Sequence, residues 1–374
     1  MPVNAIGGSG DVPYEYGVNA PLVLCAIDGN LGRLTLNRPA ALHALNLEMV
    51  TLLINALISW RDDPAVQVVL LDHSGPRGFC AGGDIAMLAA SGATDSKEAM
   101  AFFHAEYRLN HLIFDYPKPI VAIMDGVTMG GGVGLAIHAP FRIATERTAF
   151  AMPETGIGLF PDVGGGWFLP RLEGQIGIWL ALTGTRLKAA DALRAGVATH
   201  FVPSELLGAL KAQITGAAST HDPRAALRSG LAALEEEAGP VRELSDEVIA
   251  QINRCFAFDA VEDIMDALER EATPWAMAQA ATLKAKSPQT LKVALRQMRN
   301  GATMGSFADN MANEFRIGAR VVGRHDFQEG VRAVIIDKDN APKWNPATLA
   351  GVTDQMLDEI FAPLPPDQEW TPLS

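Results

Sequence analysis

Residues 118–136 read KPIVAIMDGVTMGGGVGLA, a run that starts as a strand and finishes as a helix. The stretch 119–125 has the near-continuous apolar character of a strand buried on both faces. The glycines at 130–132 and 134 then form a corner where the backbone can take positive φ and another group can approach it closely. Beyond the corner a helix start leaves N–H groups without intrahelical partners. The same design occurs once upstream: VQVVLLD at 66–72 reads as a buried strand, and GFCAGGDI at 78–85 supplies the glycine corner and the helix start. Two such corners can aim two backbone donors at one oxygen, which is the layout of an oxyanion hole. The competing reading is that these glycines serve only tight packing.

Further outward, VLCAI at 23–27 and RLTLN at 33–37 flank DGNLG and predict a hairpin with a five-residue turn. Apolar residues at helical spacing predict a helix over 42–61, ended by Asp62-Asp63-Pro64. Short strands are expected at 141–144 and 148–151, and two short helices broken at Gly184 within 172–200. Residues 204–320 carry almost no strand signal and many Ala, Leu, Glu and Arg residues, so they read as helical. The closing PPDQEWTPLS reads as irregular. The chain thus divides into a loose tail at 1–18, an α/β core at 19–203 and a mostly helical region at 204–374, in keeping with one large domain plus an addition for 374 residues.

Composition removes several classes of function. With 48% hydrophobic and 20% charged residues the chain is that of an ordinary globular protein. It has no apolar run long enough to span a membrane. The N-terminus lacks a basic stretch followed by an apolar one, so it does not read as a secretory leader, and a cytoplasmic location is the default expectation. The net charge of −13 disfavours nucleic acid and anionic lipid as partners, although a local basic pocket can still hold a phosphorylated small molecule. Cys25, Cys80 and Cys255 are too scattered for a disulfide framework and are expected in the core. No GxxxxGK[ST], HExxH or GxSxG occurs, and the cluster at 130–134 fails the dinucleotide fingerprint because its third glycine falls at Leu135. The histidines at 104, 111, 138, 200, 221 and 325 share no metal-ligand spacing, so no metal site is expected.

The stretch FAMPETGIGLFPDVGGGWFLPR, beginning at Phe150, holds two carboxylates, Glu154 and Asp162, among Met, Phe, Ile, Leu, Pro and Gly. A carboxyl in apolar surroundings has a raised pKa, which suits general acid or base work near neutral pH. The plainer alternative makes Asp162 a helix cap and Glu154 part of a surface turn. Glu106 lies in FFHAEYRLN beside the apolar stripe Phe102, Phe103, Leu109 and Leu112, where the plain reading is an exposed or ion-paired side chain.

Taken together, NRPAALHALN at 37–46, GFCAGGDI at 78–85, residues 118–136, FAMPETGIGLFPDVGGG at 150–166 and LTGTRLKAADALRAGVATHFV at 182–202 resemble the crotonase, or enoyl-CoA hydratase/isomerase, superfamily. The resemblance is nearest to its 3-hydroxyisobutyryl-CoA hydrolase branch, through AEY at 105–107, GIGLFPDVGGG at 156–166 and RHDFQEGVRAVIIDKDNAPKW at 324–344. It implies an α/β fold with a crotonase-type ββα spiral core and a mostly helical C-terminal region. The implied activity is hydrolysis of a 3-hydroxyisobutyryl-CoA thioester, as in valine catabolism, with 3-hydroxypropionyl-CoA as a second candidate substrate. It implies no cofactor, since CoA enters as part of the acyl-CoA substrate. By position it makes the N–H groups of Gly83 and Gly131 the oxyanion donors, Glu154 and Asp162 the catalytic carboxylates and Glu106 a substrate contact. HDFQEGVRA resembles the helix that lies over CoA in related enzymes, and a homo-oligomer through the helical C-terminal region is one expected assembly.

One departure is informative. Hydratases of the superfamily carry a second glutamate three residues after the donor glycine, and Gly134 stands there. Hydration needs one group to activate water and another to manage the α-proton, so that reaction is disfavoured. The remaining rivals are an isomerase using Glu154 as sole base, and a protein of this fold that binds acyl-CoA or RNA without turnover.

Overall fold

The computed structural model describes residues 20–373, so the tail expected at 1–18 lies outside the described residues. Strands β1 (Val23–Asp28) and β2 (Leu31–Leu36) form the expected hairpin, but the turn is tighter than expected. Asp28 pairs with Leu31, which leaves only Gly29 and Asn30 between them, with Gly29 at φ 58°. Cys25 is exposed on β1, contrary to the expectation for all three cysteines, because β1 is an edge strand whose outer residues meet no covering layer. Cys80 and Cys255 are buried.

The chain then winds as a spiral. Strands β3 (Val68–His73), β5 (Ile120–Met124), β7 (Phe141–Ala144) and β9 (His200–Phe201) extend the hairpin into a six-stranded sheet, parallel from β2 onward. Strands β4 (Gly78–Cys80), β6 (Val127–Met129) and β8 (Ala149–Ala151) form a second, three-stranded parallel sheet. Each turn of the spiral therefore gives one strand to each sheet before a helix closes it. The two glycine corners follow β4 and β6, neighbours in the small sheet, and this adjacency brings Gly83 and Gly131, 48 residues apart in sequence, side by side.

Both faces of the large sheet are covered, which explains its near-continuous apolar strands. Val69 and Leu71 of β3 enter the main core, while Val68 and Leu70 point the other way. That opposite face is sealed by Leu210 and Ile214 of the helix Leu207–Ala218 and by Leu227 and Leu231 of the helix Pro223–Ala232. The helix expected over 42–61 begins at Leu47, because Asn46 accepts the Met49 N–H at 2.9 Å and caps it there. Beyond residue 240, Ser245, Thr273, Ser287, Ser306 and Thr353 each cap a helix in the same way. These helices share one apolar core with the spiral, where Phe256, Phe315 and Phe327 join Leu45, Phe102 and Phe160. Among the described residues no helix is long and apolar enough to cross a membrane.

Within the C-terminal region, the helix His325–Val331 docks directly on the turn Glu154–Ile157 and its exit. Gly158 (φ 74°) lies so close to the carbonyl oxygen of Asp326 that any Cβ there would collide with it. Gly158→Ala should therefore destabilise the protein by roughly 1–3 kcal/mol through overpacking, with backbone strain adding to it. Equilibrium urea unfolding measures this, and an unchanged midpoint would show that the two backbones separate freely.

Candidate active site

A cavity of about 410 Å³ opens between the two glycine corners, the helix Lys97–Phe114 and the turn that begins at Glu154. Lys286 and the segment Val334–Ile335 reach it from the C-terminal region. At the first corner, Leu45 donates its N–H to the Gly82 carbonyl at 2.7 Å, and Asp84 donates to the Leu45 carbonyl at 2.9 Å. This short parallel bridge fixes Gly83 without using its N–H. At the second corner Gly131 is the first residue of the helix Gly131–Ala136, where the N–H likewise has no backbone acceptor among the described residues. A Cβ placed on Gly131 would lie 3.3 Å from the Gly83 nitrogen and would collide with Oε1 of Glu106. Only glycine lets the corners and that carboxylate come so close.

All three carboxylates singled out in the sequence line this cavity. Glu154 is 4% exposed, and its Oε2 is buried without a hydrogen-bond partner. Burial pushes its carboxyl well above the usual carboxylate range, the charge of Asp162 adds to this, and Lys286 opposes it. Glu106 is 2% exposed and has a partnerless Oε1; burial again raises it, with Asp162 and Glu314 contributing. Asp162 accepts the Tyr107 hydroxyl at 2.9 Å on Oδ2. Burial raises it to about 7 against the pull of that hydrogen bond. The plainer alternatives of a cap, a surface turn and an exposed or ion-paired glutamate are thus not what the structure contains.

Gly134 faces away from this opening into packed side chains. A Cβ there would meet Val163 Cβ at 2.6 Å and Asn110 Nδ2 at 2.7 Å, so the position has no room for a carboxylate.

Three neighbours received no site role in the sequence reading. Tyr107 adjoins Glu106, and consecutive helical residues do not ordinarily share a face. Here both are buried because the core encloses the helix on several sides. Lys286 and Glu314 come from more than 100 residues downstream. Glu314 does carry a retrospective signal: with Asn310 it places polar groups at helical spacing inside the buried stripe of Phe307, Met311 and Phe315. Of the histidines considered as ligands, His138 touches the site loop, its Nε2 donating to the Val163 carbonyl at 2.9 Å. Burial lowers that imidazole to about 4, so it is neutral.

A spiral of two sheets, two glycine corners with unused N–H groups and buried carboxylates in one cavity define an acyl-transfer or enolising enzyme of the crotonase type. Comparison with known proteins agrees. A family model described as enoyl-CoA hydratase/isomerase matches residues 31–361, and the chain belongs to that family. Similar curated relatives include the mitochondrial 3-hydroxyisobutyryl-CoA hydrolases of Danio rerio, 46% identical over 90% of this chain and 88% of that protein, and of Homo sapiens, 43% identical over 91% and 89%. Among solved structures, a carnitinyl-CoA dehydratase from Mycobacterium thermoresistibile is 39% identical with a TM-score of 0.87, covering 94% of this chain and 99% of that one. An enoyl-CoA hydratase from Rhodobacter sphaeroides is 40% identical with a TM-score of 0.84 and the same coverage. The cytoplasmic expectation is corrected by these relatives, whose names place them in mitochondria. It rested on the lack of a secretory leader, a test that is silent about mitochondrial addressing.

The raised Asp162 carboxyl has a consequence for stability. Between its ordinary value of 3.8 and about 7 the folded protein binds more protons there than the unfolded chain does, so Asp162 costs stability as pH rises through that interval. The stability of Asp162→Asn relative to the unmodified protein should grow from about pH 5 to about pH 7 and then level off. Urea unfolding across that range tests it, and a difference independent of pH would contradict the assignment.

Proposed function

We propose that this chain is a thioesterase that hydrolyses 3-hydroxyisobutyryl-CoA, and 3-hydroxypropionyl-CoA as a second substrate, to the free 3-hydroxy acid and CoA. The observation that carries the reading is the carboxylate inventory around the glycine corners. Glu154 and Asp162 are available, whereas the place for a hydratase's second glutamate is filled by Val163 and Asn110 packed against Gly134. The names of the curated relatives point the same way. The hydratase and dehydratase names of the two solved relatives describe reactions for which this chain lacks the second proton-handling group at that position.

In this reading the thioester carbonyl oxygen docks on the N–H groups of Gly83 and Gly131, and donors held in place there stabilise the negative charge that develops on it. Glu154 then acts in one of two ways. Its carboxylate attacks the carbonyl carbon, forming a mixed anhydride as the C–S bond breaks, and water opens the anhydride; or it takes a proton from a water that attacks directly. Either way one water is consumed and the thiol gains a proton; in direct attack the water oxygen enters the product acid, whereas through the anhydride it can enter the Glu154 carboxylate while a Glu154 oxygen leaves with the acid. Asp162, hydrogen-bonded to Tyr107, orients that water or moves its proton. The free Oε1 of Glu106 accepts the substrate's 3-hydroxyl. No resident cofactor enters this scheme, because CoA is the leaving group, and valine catabolism is the setting proposed for the free acid.

A thiol-release assay across a small acyl-CoA panel tests the function directly. Glu154→Gln and Asp162→Asn should each lower kcat by roughly 10²–10⁴ while the fold persists by circular dichroism. In the unmodified protein kcat/KM should rise with pH through about 7, since Asp162 must ionise to take a proton. Loss of enoyl absorbance from crotonyl-CoA without thiol release would overturn the reading in favour of a hydratase. Oxygen-18 placement after one turnover separates anhydride from direct water attack.

Glu106 sets selectivity in this scheme. A site built around a hydroxyl can reject the analogue lacking it by up to about 10⁴. Glu106→Ala should narrow the kcat/KM ratio between 3-hydroxyisobutyryl-CoA and isobutyryl-CoA, mainly by harming the hydroxylated substrate. An unchanged ratio would place hydroxyl selection elsewhere.

A further inference from the structure

The backbone that carries Asp162 is strained. Val163 has φ 52°, a region a β-branched residue rarely enters, and Gly164 follows at 91°. Such a conformation is unfavourable and persists only where its surroundings over-determine it. Here the surroundings are unusually specific. His138 donates to the Val163 carbonyl at 2.9 Å, and Gln297 donates to the Pro161 carbonyl at 2.7 Å. Glu314, fully buried on the helix Phe307–Val321, accepts the N–H of Gly164 at 2.8 Å on one oxygen and the N–H of Gly166 at 2.9 Å on the other. Asn310 and Gln297 donate to the same carboxylate at 2.9 and 3.2 Å.

Four donors surround this carboxylate, and no cation pairs with it among the described residues. A buried carboxylate held this way is an unusual way to end a four-residue helix, because ordinary capping uses a Ser, Thr, Asp or Asn just before the helix. Its effect reaches backward instead. With Gly164 and Gly166 held from one side and Val163 from the other, the Cα of Asp162 has little freedom.

We infer that Glu314 is a positioning residue for Asp162: by gripping Gly164 and Gly166 it locks the strained turn that presents the Asp162 carboxyl to the cavity. The inference rests on the thioesterase reading. It gives the C-terminal helical region a part in the chemistry besides covering the ligand. The groups facing Asp162 are Glu106 and Tyr107 from the helix Lys97–Phe114, Glu154 from its turn and Glu314 from behind. Lys286 stands on the Glu154 side, and neutral His138 lies at Val163. Burial and the Asp162 charge push Glu314 up to about 8, while its backbone donors hold it down.

Glu314→Gln keeps the shape but turns one acceptor into a donor aimed at other donors. Displacing a reacting group by about 1 Å can cost on the order of 10²-fold in rate. In the thiol-release assay with 3-hydroxyisobutyryl-CoA, kcat should fall roughly 10- to 100-fold with KM within about threefold. The inflection of kcat against pH should also move to higher pH, because an Asp162 carboxyl set loose loses part of the Tyr107 hydrogen bond that favours its ionised form. A purely structural role would lower the amount of folded protein and leave both the pH profile and the kcat per folded molecule unchanged. That result, with kcat within about twofold, would overturn the inference. Should the variant fail to fold, His138→Gln and His138→Leu take its place, since only the former keeps an N–H donor for Val163. His138→Leu should then lose clearly more kcat than His138→Gln at similar KM, and equal values overturn the inference. Absence of thiol release in the unmodified protein would overturn the thioesterase reading itself.

Discussion

Four carboxyl groups, Glu106, Glu154, Asp162 and Glu314, share one water-poor region, and the architecture answers to that fact more than to any other. Like charges at short range in low dielectric cannot all ionise, so burial together with the Asp162 charge raises Glu106, Glu154 and Glu314, and protons remain bound near neutral pH. Such a cluster is unfavourable unless its members are held apart and hydrogen-bonded from fixed positions. The protein does this with a phenol on Asp162, backbone and side-chain amides on Glu314, and rigid walls around the two acids left with free oxygens. The free oxygens are the ones a substrate can satisfy.

The spiral is well suited to this task. Its small sheet places two successive strand ends side by side, and each ends in a glycine corner. Bare backbone is brought near a carboxylate without a side chain between them. Where a side chain is absent for a different reason, as at Gly134, the neighbouring Val163 and Asn110 fill the space and narrow the chemistry. Reaction choice in this fold thus depends as much on which positions are blocked as on which acids are present.

The strands, the corners and the burial of Glu154 and Asp162 were legible in the sequence because each rests on local pattern: continuous apolar runs, glycine clusters, an acid among hydrophobes. Glu106 was legible through resemblance, since its own helical neighbourhood allowed an exposed glutamate equally well. The two-residue turn at Gly29 and Asn30 and the exposure of Cys25 were misread because turn length and edge position depend on pairing, which a single strand does not reveal. Lys286 and Glu314 were missed for a deeper reason. Their partners lie far away along the chain; Lys286 carries no local sign of the distant cavity it enters, and the buried polar stripe of Glu314 and Asn310 marks burial without naming the partner.

That separation has a temporal side. The contacts from Glu314 to Gly164 and Gly166 span 150 and 148 residues, and the wall at Val334 and Ile335 comes later still. Closures at such long sequence separation pay their loop entropy before the contacts they make can reward it. While the chain is being synthesised, the spiral with its glycine corners emerges well before the helices that complete the cavity. A half-made molecule therefore presents the glycine corners without a fixed Asp162 or a closed wall. The capacity to act on a reactive thioester arrives together with the finished fold.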